Sequence, residues 1–395
     1  MRILYVSGER LNKFGGTPLR IREIATQWIR QGHAVVTLAP SYAGGRPRDW
    51  PTALELVRLP SRSLASFALL ECSMAHHVAR VAKMHDSQVV LSTGGVLSPL
   101  VYRALKARKI PYVVEINGMA DVEARLRPIP KPLAHAYAWA IRNGGLYRRA
   151  DLFVCVAEGI RAELSERWPP FASRSVTIQN GVNPARFAAR DRSQCRRELG
   201  LPNGDFIFGF VGLLCPWHGT EDLIAATRIL RERGVTGFRA VVVGGGERFE
   251  SLREQARREG VEDLVVFTGR VGPEVVPLYT AAVDVACQVH NDPVIGRLGN
   301  SMKFWEYLAS GLPVIMSDMS EAVRYVGRGV EGWVYRGGDR NDLADTMQVA
   351  MGQRASLAAM GAANRRFIDH GHRWEDVARA MTEALVGLVG RTSRA

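Results

Sequence analysis

Lys303 and Glu306 stand three residues apart in the stretch GNSMKFWEYLASGLPVI at 299–315. The stretch predicts a loop, a short helix over about 302–310, a Gly311 stop and a buried strand, with Asn300 and Ser301 able to cap the helix. At helical spacing Lys303 and Glu306 share a face, while Phe304, Tyr307 and Leu308 turn to the core. A cation and a carboxylate on the first turns after a Gly-containing loop can take an anion and a hydroxyl. The same spacing also fits an ordinary surface ion pair. Two further places carry chemistry. Glu115 and Asn117, with Gly118, end an apolar run at 112–116, and Gly15-Gly16 open a helix where the backbone can approach a phosphate. Glu115 reads equally as a strand-end carboxylate with a local capping partner.

The elements that must position these residues alternate. Strands are predicted at 2–6, 34–39, 89–92, 112–116, 152–156 and 175–179, with helices at 19–31, 64–84, 99–108 and 158–167 between them. A helix carrying His135, Tyr137 and Trp139 is expected before the strand at 152. The polar stretch 184–204 reads as a linker. A second series follows, with strands at 206–211, 239–243, 265–268, 283–288, 314–317 and 332–334, and a helical tail at 342–388. Two βα-alternating domains imply two parallel sheets, with ligands at their C-terminal edges and a cleft between them. The expected division is 1–185, 186–370 and a C-terminal helical piece at 371–395 that could return to the first domain. The glycines at 15–16 lack the spacing of a dinucleotide fingerprint, which argues against a nicotinamide cofactor.

Length and composition bound the possibilities. The 395 residues suit two domains. Five cysteines, scattered and without a CxxC pair, argue for a reducing compartment and against structural zinc. Neither a signal-peptide core nor an apolar run of about 18 residues is visible, so a cytoplasmic protein is expected. The net charge of +13 is uneven: 27 Lys+Arg against 13 Asp+Glu up to Arg190 gives +14, and 25 against 26 afterwards gives −1. An N-terminal half so basic predicts an anionic partner, either a membrane surface or a phosphorylated acceptor. Arg125 and Arg127, in a proline-broken basic segment at 121–132, are candidate acceptor contacts, and the helix at 64–84 is the candidate membrane-facing element. Nucleic acid is disfavoured, because aromatics are not interleaved with the arginines.

In order and spacing the motifs resemble the retaining glycosyltransferases of family 4, which share the GT-B fold. They are Phe14-Gly15-Gly16 with Arg20, EING at 115–118, IQNGVN at 178–183, FGFVGLLCPWHG at 208–219, VVVGGGE at 241–247, VVFTGRV at 265–271 and NSMKFWEYLASGLPVI at 300–315. The resemblance implies α/β architecture with two facing Rossmann-like domains. It implies transfer of a sugar from a nucleoside-diphosphate donor to a hydroxyl acceptor, which could be lipid-linked, with retention of configuration, no cofactor and no metal. On an anionic inner membrane face the enzyme would be peripheral.

Carried over by position, the resemblance gives Glu306 the ribose hydroxyls, and Lys303 and Gly16 the donor diphosphate. Residues 268–271 would frame the base, and Glu115 and Asn117 would lie near the transferred sugar. Gly15, Gly212, Arg270, Asn300 and Ser301 join the donor set, and Arg20 joins Arg125 and Arg127 on the acceptor side. Leu213 and His218 stand where the family usually has an Arg and a Lys, and Leu298 where it usually has an acid. His218, Lys303 and Arg297 or Arg270 are therefore expected to hold the diphosphate, with His218 and Lys303 catalytic. Two rival readings are a catalytically weak GT-B binding subunit and a GT-B sugar-nucleotide epimerase.

Overall fold

The computed structural model describes residues 1–12, 15–41, 49–58, 64–93, 99–119, 122 and 149–392. The chain forms two compact units, Met1–Asn180 with Trp374–Ala395, and Gly181–Arg373.

In the N-terminal unit the strands are β1 (Arg2–Ser7), β2 (Ala34–Ser41), β3 (Ala53–Arg58), β4 (Val89–Thr93), β5 (Tyr112–Ile116), β6 (Leu152–Cys155) and β7 (Ser175–Thr177). They pair in parallel in the order β3-β2-β1-β4-β5-β6-β7. The helices described in this unit's N-terminal segment are α1 (Gly16–Arg30), α2 (Leu64–Met84), α3 (Pro99–Lys106) and α4 (Glu158–Arg167). The central strands are buried along their length, as β4, β5 and β6 show, which is why their sequences read as unbroken apolar runs. Sequence analysis misses β3. It is an edge strand whose ALELVR sequence buries Val57 but leaves Ala53 exposed, so it carries neither a clean run nor a clean alternation. Arg125, Arg127 and the expected helix around His135 lie outside the described residues. In the candidate membrane helix, Met74, Val78, Val81 and Ala82 are packed into the core.

Arg20, expected on the acceptor side, is instead a strut of this unit. Only 1% exposed, it places Nε 3.1 Å from Glu115 Oε1 in an ion pair without hydrogen-bond alignment. Its Nη1 donates to Gln179 O at 3.0 Å and Asn180 Oδ1 at 2.9 Å, and its Nη2 to Ile178 O at 3.2 Å. Tyr5 donates to the second oxygen of Glu115 at 3.2 Å. Glu115 is therefore consumed inside the sheet rather than offered to a sugar. One guanidinium ties α1 to β5 and to the 178–180 segment.

The C-terminal unit carries β8 (Phe206–Val211), β9 (Phe238–Val243), β10 (Val265–Gly269), β11 (Val285–Gln288), β12 (Val314–Ser317) and β13 (Gly332–Tyr335). Their order is β10-β9-β8-β11-β12-β13, again parallel. Its helices are α5 (Arg192–Glu198), α6 (Thr220–Glu232), α7 (Phe249–Arg258), α8 (Val276–Ala282), α9 (Pro293–Leu298), α10 (Met302–Ala309), α11 (Arg340–Gly352) and α12 (Leu357–Ile368). The predicted linker at 184–204 is folded into this unit. Phe187, Cys195 and Leu201 join the core beside Phe304 and Trp305, and Arg196 pairs with Asp284 at 2.6 Å with both side chains buried. Most of the charges in this stretch, such as Arg190, Arg197 and Glu198, stay exposed, while its apolar residues and Arg196 are spent internally. The last helix, α13 (Trp374–Thr392), belongs to the N-terminal unit, where Trp28 Nε1 donates to Ala378 O and Thr382 Oγ1.

Removing one partner of a buried pair strands the other charge. Arg20→Met is therefore expected to destabilise the protein by about 3–5 kcal/mol in chemical denaturation. Tyr5→Phe, which deletes one hydrogen bond, should cost about 1 kcal/mol.

Candidate functional site

In the C-terminal sheet the order of the parallel strands reverses between β8 and β11, the switch point at which open α/β sheets take ligands. Three segments meet there: the 212–219 loop after β8, the loop that follows β11 from Val289, and the start of α10. Tyr307 fixes α10 against β8, because its hydroxyl accepts from Val211 N at 2.8 Å and lies 3.3 Å from Val211 O. The 212–214 turn packs against the glycine loop after β9, with Leu214 N donating to Gly245 O at 3.1 Å. Gly244, at φ +137°, has no room for a side chain, since a Cβ there would overlap the Gly212 carbonyl.

Lys303 is 8% exposed, and its Nζ has no hydrogen-bond partner. The ammonium lies over the Phe210 ring, 4.1 Å from the centroid. A Cβ on Gly212 would come within 3.0 Å of Nζ. Burial pushes Lys303 down to about 7, against an upward pull from Cys215 and Glu306. No ion pair joins Lys303 to Glu306, so the surface-pair reading fails: the lysine is buried and its charge is uncompensated. Glu306 is half-buried, and its carboxyl is raised by burial, opposed by Arg186 and Lys303. Ser301 occupies the N-cap position of α10 without a side-chain cap, and Asn300 Oδ1 instead accepts from Trp305 Nε1 at 3.0 Å.

His218 lies beside this lysine, as sequence analysis expects, but not as a cation. Its Nδ1 donates to Leu213 O at 2.6 Å, and burial, Lys303 and His290 hold it well below the usual imidazole range. His290, at the end of β11, was not singled out from sequence. It is 6% exposed, its ring centroid is 5.7 Å from that of His218, and burial followed by Lys303 pushes it to about 4. Its position as a polar residue two places past a buried strand is the available signal. Arg186 was also missed. It donates to Pro273 O at 3.1 Å, and its charge acts on Glu306.

Other candidates are not drawn into this cluster. Arg270 is exposed beside Gly245, and Arg297 Nε donates to Pro293 O at 2.9 Å in its own helix. In the N-terminal unit, Gly15 and Gly16 are exposed at the start of α1. Asn117 Nδ2 donates to Thr93 Oγ1 at 2.6 Å and leaves Oδ1 unpartnered. Among the described residues no three His, Cys, Asp or Glu side chains gather as a metal site, and no helix is long and apolar enough to cross a membrane.

Residues 14–186 match the family described as Glycosyltransferase Family 4, and residues 191–367 match Glycosyl transferases group 1, together most of the chain. The chain belongs to the family 4 glycosyltransferases. This glycosyltransferase is 26% identical over 400 residues to the GDP-mannose-dependent alpha-(1-6)-phosphatidylinositol monomannoside mannosyltransferase of Mycobacterium tuberculosis, covering 98% of each chain. It is 29% identical over 359 residues to the D-inositol 3-phosphate glycosyltransferase of Actinosynnema mirum, covering 86% of this chain and 80% of that one. Among solved structures, Anabaena HepE in complex with UDP superposes with a TM-score of 0.77 at 19% identity, over 98% of this chain and all of that one. The fold is GT-B, and the activity is sugar transfer from a nucleotide sugar to a hydroxyl acceptor.

A diphosphate bound at Lys303 would pair with its charged form. In the free protein that form dominates below pH 7 and is lost above it. Nucleoside-diphosphate affinity should therefore be flat below pH 7 and fall about tenfold per pH unit above it, until the linkage saturates. Calorimetric titrations across this range test the profile, and Lys303→Ala should both weaken binding and flatten it.

Proposed function

We propose that the chain is a retaining, metal-independent hexosyltransferase whose C-terminal unit binds a nucleoside-diphosphate sugar and whose basic N-terminal half receives a phosphate-bearing hydroxyl acceptor. The observation that carries this reading is the buried, unpartnered Lys303 ammonium at the topological switch of the C-terminal sheet. A diphosphate is its natural counter-ion. Lys303 then supplies, with backbone N–H groups of the 212–219 and 244–246 loops, the charge stabilisation that the departing diphosphate requires.

Retention is proposed to occur by front-face substitution. The acceptor oxygen bonds to the anomeric carbon as the phosphate oxygen leaves, and that phosphate oxygen takes the acceptor proton. The consumption of Glu115 by Arg20 and Tyr5 supports this route, because the strand-end carboxylate is not free to form a covalent sugar intermediate. Glu306 is assigned the ribose hydroxyls, a bidentate acceptor task.

Two relatives bear names that include phosphatidylinositol monomannoside and D-inositol 3-phosphate. Their anionic character agrees with the +14 balance up to Arg190, from 27 basic and 13 acidic residues. The proposed acceptor is therefore an inositol phosphate, free or lipid-borne. With a lipid-borne acceptor the enzyme would work peripherally on an anionic cytoplasmic face.

Incubating the protein with GDP- and UDP-hexoses and inositol-phosphate acceptors should give a glycosylated product that keeps the donor's anomeric configuration by NMR. An inverted product would contradict the mechanism. Glu306→Gln, which keeps only one acceptor oxygen, should raise donor KM by about tenfold with a smaller change in kcat.

A further inference from the structure

His218 lies beside the Lys303 ammonium, yet its own hydrogen bonding makes it an acceptor rather than a second cation. A main-chain carbonyl can only accept, so the 2.6 Å contact with Leu213 O puts the imidazole proton on Nδ1. Nε2 of the neutral ring is then a bare lone pair, and it has no partner among the described residues. His290 stands beside it, with Nδ1 buried and without a hydrogen-bond partner. The rings meet edge to face at 5.7 Å and 65°, and His218 also stands edge-on to Phe210, whose face Lys303 covers.

Protonating either ring would place a second positive charge beside the uncompensated Lys303 ammonium. Their environments push both imidazoles toward the neutral form, His290 to about 4. The cluster therefore presents one cationic donor flanked by neutral acceptors. Phosphate oxygens suit the lysine and are repelled by a lone pair. What suits a lone pair is an O–H donor, and a nucleoside-diphosphate sugar carries its hydroxyls on the ribose and the hexose. With the ribose assigned to Glu306, the hexose remains.

We propose that His218 is a specificity residue for the transferred sugar, its Nε2 accepting a hydrogen bond from a hexose hydroxyl and so fixing the ring's orientation, with His290 holding the neighbouring wall. This inference rests on the donor-site reading above and deepens it.

The test is calorimetric binding of GDP, GDP-mannose, UDP and UDP-glucose to wild type, His218→Ala, His218→Gln and His218→Lys. For whichever nucleotide the wild type binds, His218→Ala should weaken the sugar nucleotide about tenfold while leaving the bare diphosphate within about twofold. His218→Gln, which offers an amide oxygen, should recover most of the loss, and His218→Lys should not. A deoxy-sugar donor lacking the contacted hydroxyl should bind wild type and His218→Ala alike. Equal losses for diphosphate and sugar nucleotide, no loss for either, or a His218→Lys variant that matches wild type would overturn the proposal. A wild-type protein that binds none of the four would overturn the donor reading itself.

Discussion

The C-terminal unit is built around a positive charge that it does not neutralise. Lys303 is delivered to the sheet edge by α10, which Tyr307 locks to the end of β8. It lies over the Phe210 face, with no hydrogen bond and no ion pair. An aromatic quadrupole contributes about 0.5–2 kcal/mol to such a cation, well short of the several kcal/mol that desolvation costs. The surroundings are shaped to tolerate this. Gly212 leaves room for the ammonium, Gly244 lets the neighbouring loop close in, and two imidazoles stay neutral beside it. A site held in this unbalanced condition is completed by an anion that brings its own charge.

The N-terminal unit uses similar ingredients to the opposite end. Arg20 and Glu115 are also a buried cation and carboxylate, but they find partners inside the protein: the guanidinium in Glu115 and three oxygens of the 178–180 turn, the carboxylate in Arg20 and Tyr5. Satisfied in this way, the pair is structural, tying α1 to β5. The difference between strut and binding site lies in whether the buried charge finds its partner inside the protein, not in the residue types.

This contrast marks what the sequence could show. The α/β alternation and the Lys303–Glu306 helix were legible, because buried parallel strands and glycine-stopped helices write strong local patterns, and the GT-B fold was implied by the resemblance of the motifs to family 4. The Gly311 stop, at φ +73°, is one such signal. Partnership was not legible. Glu115 and Arg20 lie 95 positions apart, and nothing local reveals that they meet. The stretch 184–204 reads as a linker because it is polar, charged and marked by Pro and Gly, whereas Phe187, Cys195 and Leu201 join the core and Arg196 is buried against Asp284. The character of His218 depends on a carbonyl five residues away whose direction only the folded loop sets.

The account stands on the uncompensated state of Lys303, and NMR titration of that side chain, followed through its labelled Cε, measures it directly. The free protein should show a midpoint near 7 that moves above about 9 when a nucleoside diphosphate is bound. A free-protein midpoint near the ordinary lysine value of about 10.4, unchanged by the nucleotide, would contradict it.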